Sequence, residues 1–261
     1  MLKKIIRYII ISNYQKINKV LYFLLKYFYI KNAMNHLNLN DITIFNYSKW
    51  HHGFCYFSAT FNGKKVFVKI DTKLQILENE VFFYNYMENE IQHYLIIKYD
   101  FYKNKNLELV IFEFLEEVQE LNKEILLSNL NYLDDIFLIL KSIEAKKLIH
   151  RDIKLDNFMI VNNNLKIIDF TFANSFLDYT EFIELNIKEK KNFMILKALG
   201  RGFKPKDFVW NDFISMSIII EELLSEKIKS KDQDILKMYL EKFKKQSFNA
   251  SYTKISNLLN D

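Results

Sequence analysis

Leu148-Ile149-His150-Arg151-Asp152-Ile153-Lys154-Leu155-Asp156-Asn157, followed by Phe158 to Val161, Asn162-Asn163-Asn164, Leu165 to Ile168 and Asp169-Phe170, is the stretch on which the reading of this chain turns. Two apolar runs flank three asparagines, a residue type that tolerates turn conformations, so a hairpin with polar clusters at its open end is expected. Such a hairpin brings Asn157 and Asp169 together. An amide oxygen and a carboxylate converging there, with a second carboxylate at Asp152, make a hard-oxygen site suited to Mg2+ and a phosphorylated ligand.

Outward from this stretch the pattern changes character. Upstream, Phe54 to Phe61, a turn at Asn62-Gly63, Val66 to Ile70 and Glu108 to Phe114 read as strands, and Leu74, Leu77, Val81 and Tyr84 recur at helical spacing between them. Past Leu115 the chain reads as mainly helical, with Leu133, Ile136, Phe137, Leu140 and Ile143 forming one stripe. A small β-rich lobe over residues 41–115 is therefore expected to precede a helical lobe over 116–261, an α+β arrangement.

His150-Arg151-Asp152-Ile153-Lys154-Leu155-Asp156-Asn157 followed by Ile168-Asp169-Phe170 resembles the catalytic loop and metal-binding Asp of the protein-kinase-like superfamily. The resemblance implies a two-lobed fold with a β-rich N-lobe and a compact helical C-lobe, and an ATP-dependent kinase using Mg2+. It casts Asp152 as the group that orients the acceptor hydroxyl and takes its proton, and Lys154 as the cation beside the transferring phosphoryl group. Asn157 and Asp169 would hold Mg2+. Val66-Phe67-Val68-Lys69-Ile70 resembles the strand carrying the ATP-anchoring lysine, and the next helix offers Glu80 to pair with Lys69. Glu78 competes for that role, but two helical residues that close point in different directions; Glu80 is favoured because it lies beside the Leu77, Val81 and Tyr84 stripe. Glu113-Phe114-Leu115 is similar to the hinge whose backbone binds adenine, and Asp212 to the acid that braces the catalytic loop from the start of a C-lobe helix ending at Leu224.

Four departures from that pattern bear on nucleotide grip, regulation and acceptor. Trp50-His51-His52-Gly53-Phe54 keeps one glycine, Gly53, where the phosphate-covering loop has three, and Thr171 stands where glycine usually follows the Asp-Phe pair. Pro205-Lys206 replaces Ala-Pro-Glu, and only 37 residues follow Leu224, fewer than protein kinases use to dock peptides. The shortened C-lobe, the glycine-poor loop and a basic leader are similar to small bacterial kinases that phosphorylate sugars of the lipopolysaccharide core. A Ser/Thr protein kinase, with Arg151 clamping a phosphorylated Thr171, Ser175 or Thr180, is the alternative. A nucleotide-binding pseudokinase scaffold is the second alternative. Arg201, Lys204 and Lys206 are candidate contacts for an anionic acceptor, or simply a solvated basic loop.

Composition narrows the partners. The chain has 261 residues and a net charge of +5, with half its residues apolar and 26% charged, which is globular composition. Residues 1–40 hold seven Lys or Arg and no acid, so the body beyond them carries −2, and a nucleic-acid binder with a basic body is disfavoured. The single Cys55 excludes an intrachain disulfide and fits a cytoplasmic setting. In the leader the apolar runs Ile5 to Ile11 and Val20 to Ile30 are too short to span a bilayer, and Ser12-Asn13-Tyr14-Gln15 offers no small-residue cleavage site. Ile17, Leu21, Leu24 and Phe28 share a helical face opposite Lys16, Lys19 and Lys26. Residues 1–31 therefore read either as a helix lying on the inner face of the cytoplasmic membrane or as a helix docked on the protein itself.

Overall fold

In a computed structural model, which describes residues 23–45, 50, 53–73, 75–175, 212–226 and 229–247, the chain is a mixed α+β protein that divides into two compact units. The first takes in Met1–Val81 and Ile97–Leu115, the second Phe82–Ile96 and Glu116–Asp261.

The first unit is built on an antiparallel sheet of β1 (Asn40–Ile44), β2 (Phe54–Phe61), β3 (Lys64–Asp71), β4 (Lys98–Lys103) and β5 (Glu108–Glu113), in the order β1-β2-β3-β5-β4. The Asn62-Gly63 turn sets the β2–β3 register, which pairs Phe61 with Lys64 and Tyr56 with Lys69. Because side chains alternate along a strand, Cys55, Phe57 and Ala59 of β2 join Val66, Val68 and Ile70 of β3 in one core. Helix α1, spanning 23–36, adds Ile30, Ala33 and Met34 to that core, with the Phe23 ring tilted against those of Trp50 and Phe57. Lys69 has the opposite parity. Burial and then the charge of Asp71 push the Cys55 thiol up to about 12, so this cysteine packs rather than reacts.

The described part of the leader, helix 23–36, packs on the sheet through a face other than the expected one. Phe23, Ile30, Ala33 and Met34 turn inward, Lys26 is half-buried, and Leu24 and Phe28 face outward. Ile17 and Leu21 lie outside the described residues, as do Leu74, His51 and His52.

Gly53 opens β2 with φ +96°, and its carbonyl accepts hydrogen bonds from the Thr72 N–H and Oγ1. A Cβ there would lie 2.5 Å from the Lys73 Cβ, an atom fixed to the backbone. Gly53→Ala is expected to cost about 1 to 3 kcal/mol, from strain at positive φ and that overlap. An unchanged urea unfolding midpoint would contradict it.

In the second unit, β8 (Phe158–Val161) and β9 (Asn164–Ile167) form the expected hairpin, joined by β6 (Gln119–Glu120) in the order β6-β8-β9. Asn162 and Asn163 both adopt positive φ at its turn. β7 (Leu148–Ile149) pairs with β10 (Asn174–Ser175). After the short α3 (Lys123–Ser128), α4 (Tyr132–Ala145) buries Leu133, Ile136, Leu140 and Ile143, together with Ile139. Its Phe137 meets Phe213 of α5 (Asp212–Leu224) and Phe243 of α6 (Ser230–Ser247), with ring centroids 5.6 and 5.2 Å away. Helix α2 (Leu77–Ile91) buries Leu77, Val81, Tyr84, Met87 and Ile91.

Candidate active site

Asp152, Ile153 and Lys154 leave β7 toward a single 3-10 turn over Leu155–Asn157, and Lys154 is fully extended at φ −153°. Alternate residues of an extended segment share a side, so Ile153 enters the core while Asp152 and Lys154 point together. Lys154 Nζ lies 2.7 Å from Asp152 Oδ2, which also accepts from Asn157 Nδ2 at 3.1 Å. Asn157 Nδ2 donates a second bond, 2.7 Å, to the Asp152 carbonyl. The carboxylate of Asp152 is 2% exposed, and its Oδ1 has no hydrogen-bond partner among the described residues.

The loop that carries Asp152 is held from beneath. Asp212, at the start of α5, accepts the His150 N–H on Oδ2 at 2.7 Å and the Arg151 N–H on Oδ1 at 3.0 Å. Arg151 sits at φ +70°, a left-handed conformation that a non-glycine residue adopts at a cost, and the two Asp212 bonds offset it. Burial pushes the Asp212 carboxyl above its usual range, and His150 and Arg151 pull against that rise. Burial likewise lowers the Arg151 guanidinium to about 10, with Asp212 opposing. His150 is buried: its Nδ1 accepts from the Asp152 N–H, which assigns the ring proton to Nε2, a donor 3.1 Å from the Ile168 carbonyl.

The hairpin carries its two ends to the same place, with the Ile168 N–H donating to the Asn157 carbonyl at 3.0 Å. Asp169 follows at φ +66°, and Thr171 Oγ1 donates to its Oδ1 at 2.6 Å. Thr171 is buried, so it does not offer the phosphorylation site considered for it, and Thr180 lies outside the described residues. Phe170 is packed between His150 and Tyr84. Among the described residues no three His, Cys, Asp or Glu side chains form a metal-binding group. The donor set of Asn157 and Asp169 nevertheless suits Mg2+, which takes one or two protein oxygens and completes its shell with water and phosphate. The two bonds from Asn157 Nδ2 to Asp152 turn its oxygen the other way.

In the first unit, Lys69 Nζ lies 2.8 Å from Glu80 Oε2, and both side chains are buried. Glu78 instead pairs with Lys103. A buried ion pair contributes little net stability, because desolvation offsets attraction, so its presence calls for another reason. The start of α2 is fastened by two fully buried acids that sequence reading passed over. Asp71 accepts the N–H groups of Lys73 and Ile76, and Glu108, its register partner across β3 and β5, accepts the Glu78 N–H at 3.0 Å. Carboxylates are uncommon within apolar strands, and that oddity was the available signal. Glu113 spends its N–H and its carboxylate on the Ile97 backbone, while Leu115 lies two residues past the end of β5. Pro205, Lys206, Arg201 and Lys204 lie outside the described residues.

No protein-family model matches the chain. Over 153 residues it is 25% identical to "Protein LicA homolog" of Metamycoplasma hominis, an alignment covering 57% of this chain. The chain thus matches 61% of that relative's length.

Proposed function

We propose that the protein is an ATP-dependent phosphotransferase with a hydroxyl acceptor, and that its two units are the lobes of a protein-kinase-like fold. The observation that carries this reading is the Asp152 carboxylate: buried, oriented by Lys154 and Asn157, and with one oxygen that accepts no hydrogen bond among the described residues. A purely structural carboxylate in that setting would waste a buried acceptor, whereas a general base needs one turned to its substrate.

In the proposed reaction the acceptor oxygen bonds to the γ-phosphorus of ATP as the bond to the β–γ bridging oxygen breaks. The acceptor proton passes to Asp152, and ADP leaves. Lys154 is the cation beside the phosphoryl oxygens, and Lys69, held by Glu80, serves the α and β phosphates. Mg2+, held by Asn157 and Asp169, would supply charge neutralisation at those phosphates. Adenine recognition would fall to the backbone from Glu113 to Leu115 other than the Glu113 N–H, which Ile97 occupies, and Gly53 would belong to the phosphate-covering turn. For the acceptor, the single glycine of that turn and the basic leader favour a glycan of lipopolysaccharide-core type over a peptide.

The test incubates the purified protein with ATP labelled in the γ-phosphate and Mg2+, offering core oligosaccharide, a generic protein substrate, or a panel of small alcohols in separate reactions. Label on the oligosaccharide is expected. Label only on protein or only on a small alcohol overturns the glycan assignment and keeps the chemistry. Bound nucleotide with neither transfer nor hydrolysis overturns the chemistry itself.

A further inference from the structure

The exposed apolar residues of this protein are not evenly spread. Leu24, Leu25, Tyr27, Phe28 and Tyr29 of α1 all lie open, Leu24 at 59%, Leu25 at 76% and Phe28 at 67%. Leu24 and Leu25 stand four and three residues before Phe28, so the three side chains form one cluster on the outward face of the helix. The inward face is already committed, with Ile30, Ala33 and Met34 in the sheet core. A helix that has satisfied its own fold and still presents three large apolar side chains to solvent bears a surface in want of a partner.

Charge selects the partner. Residues 1–40 contain seven Lys or Arg and no Asp or Glu, with Lys31 exposed on α1 and Lys26 lying 5.6 Å from the Tyr29 ring. A second copy of this chain would bring like charges together across the contact, which opposes pairing. An anionic bilayer surface answers both features, since it takes apolar side chains below its headgroups and attracts cations above them. Tyr27 and Tyr29 suit that boundary, because a phenol has an apolar ring and a polar tip. Among the described residues no helix is long and apolar enough to cross a membrane.

We infer that α1 seats the protein on an anionic lipid surface through Leu24, Leu25 and Phe28. The inference is independent of phosphoryl transfer, and its readout is partition, not turnover. Full-length protein is floated with vesicles of phosphatidylcholine alone and of phosphatidylcholine with phosphatidylglycerol, at low and high salt. Wild type is expected to float with the anionic vesicles at low salt and weakly with neutral ones. Leu24→Ser combined with Leu25→Ser and Phe28→Ser should reduce flotation by about tenfold or more with an unchanged melting temperature, because those side chains are exposed.

The inference is overturned if wild type stays in solution, floats equally with both vesicle types, or floats as well as the triple variant. A lower melting temperature in the variant would show that the chain covers this face itself, and loss of a wild-type dimer would show that a second copy does. Either result overturns it too.

Discussion

Asp152→Asn is expected to lower the turnover number by about a thousandfold, within the range a positioned general base contributes, while leaving ATP affinity within about twofold. The amide is the same size as the carboxylate. It must turn its oxygen toward Lys154 Nζ and Asn157 Nδ2, the donors that Asp152 Oδ2 now serves. That places an NH2 group where the unengaged Oδ1 lies, so the position changes from proton acceptor to donor. The fold should be indifferent to the exchange. Single-turnover kinetics with labelled ATP, alongside a binding titration and a thermal melt, separate the three effects. Turnover within a few-fold of wild type would remove Asp152 from the chemistry.

The second large effect is on stability. Asp212→Asn should cost about 3 to 5 kcal/mol, since one hydrogen bond to a charged acceptor, about 1.5 to 3 kcal/mol, is lost and the buried N–H left without an acceptor costs about 1 to 3 kcal/mol more. One carboxylate oxygen accepts from His150 and the other from Arg151. An asparagine can serve only one of those N–H groups, and its own NH2 would face the other. Arg151 would then keep its left-handed backbone without the bond that offsets it. At roughly 2 to 4 °C per kcal/mol for a chain of this size, the melting temperature should fall by about 10 °C. Activity should fall with it, because the same loop carries Asp152. A variant that melts with wild type would show that the loop holds itself.

Asp152 was open to reading from its local spacing, whereas the brace at Asp212 was legible only through the family resemblance. Asp152, Lys154 and Asn157 lie within six residues, and such spacing survives whatever the rest of the chain does. Asp169 was readable because the three asparagines specify a turn, and a turn of known place fixes which residues meet across it. Glu80 could be separated from Glu78 because the Leu77, Val81 and Tyr84 stripe sets the rotation of α2.

Features that depend on distant partners were not readable. Helix α1 has apolar residues on both faces, and which face turns inward was decided by Trp50 and Phe57, not by its own periodicity. In the brace that Asp71 and Glu108 form, the Glu108 half exists only because β3 and β5 pair in a register that sets it beside Asp71. Thr171 could be compared only with the glycine it replaces, and its bond to Asp169 follows from the local backbone path.

That brace also orders how the first unit comes apart. Asp71 reaches amides two and five residues ahead, whereas Glu108 reaches one thirty residues behind it. Closing the longer loop costs about 1.6 kcal/mol more chain entropy than closing the five-residue one, so the Glu108 bond depends more heavily on the sheet being intact. Fraying of β5 therefore unlatches the first turn of α2 and loosens Glu80 from Lys69, even while Asp71 still grips its own loop. Opening of the lysine–glutamate pair is expected to precede loss of the β2–β3 hairpin, and hydrogen exchange at the Glu78 amide faster than within β2 and β3 is the measurement that checks it.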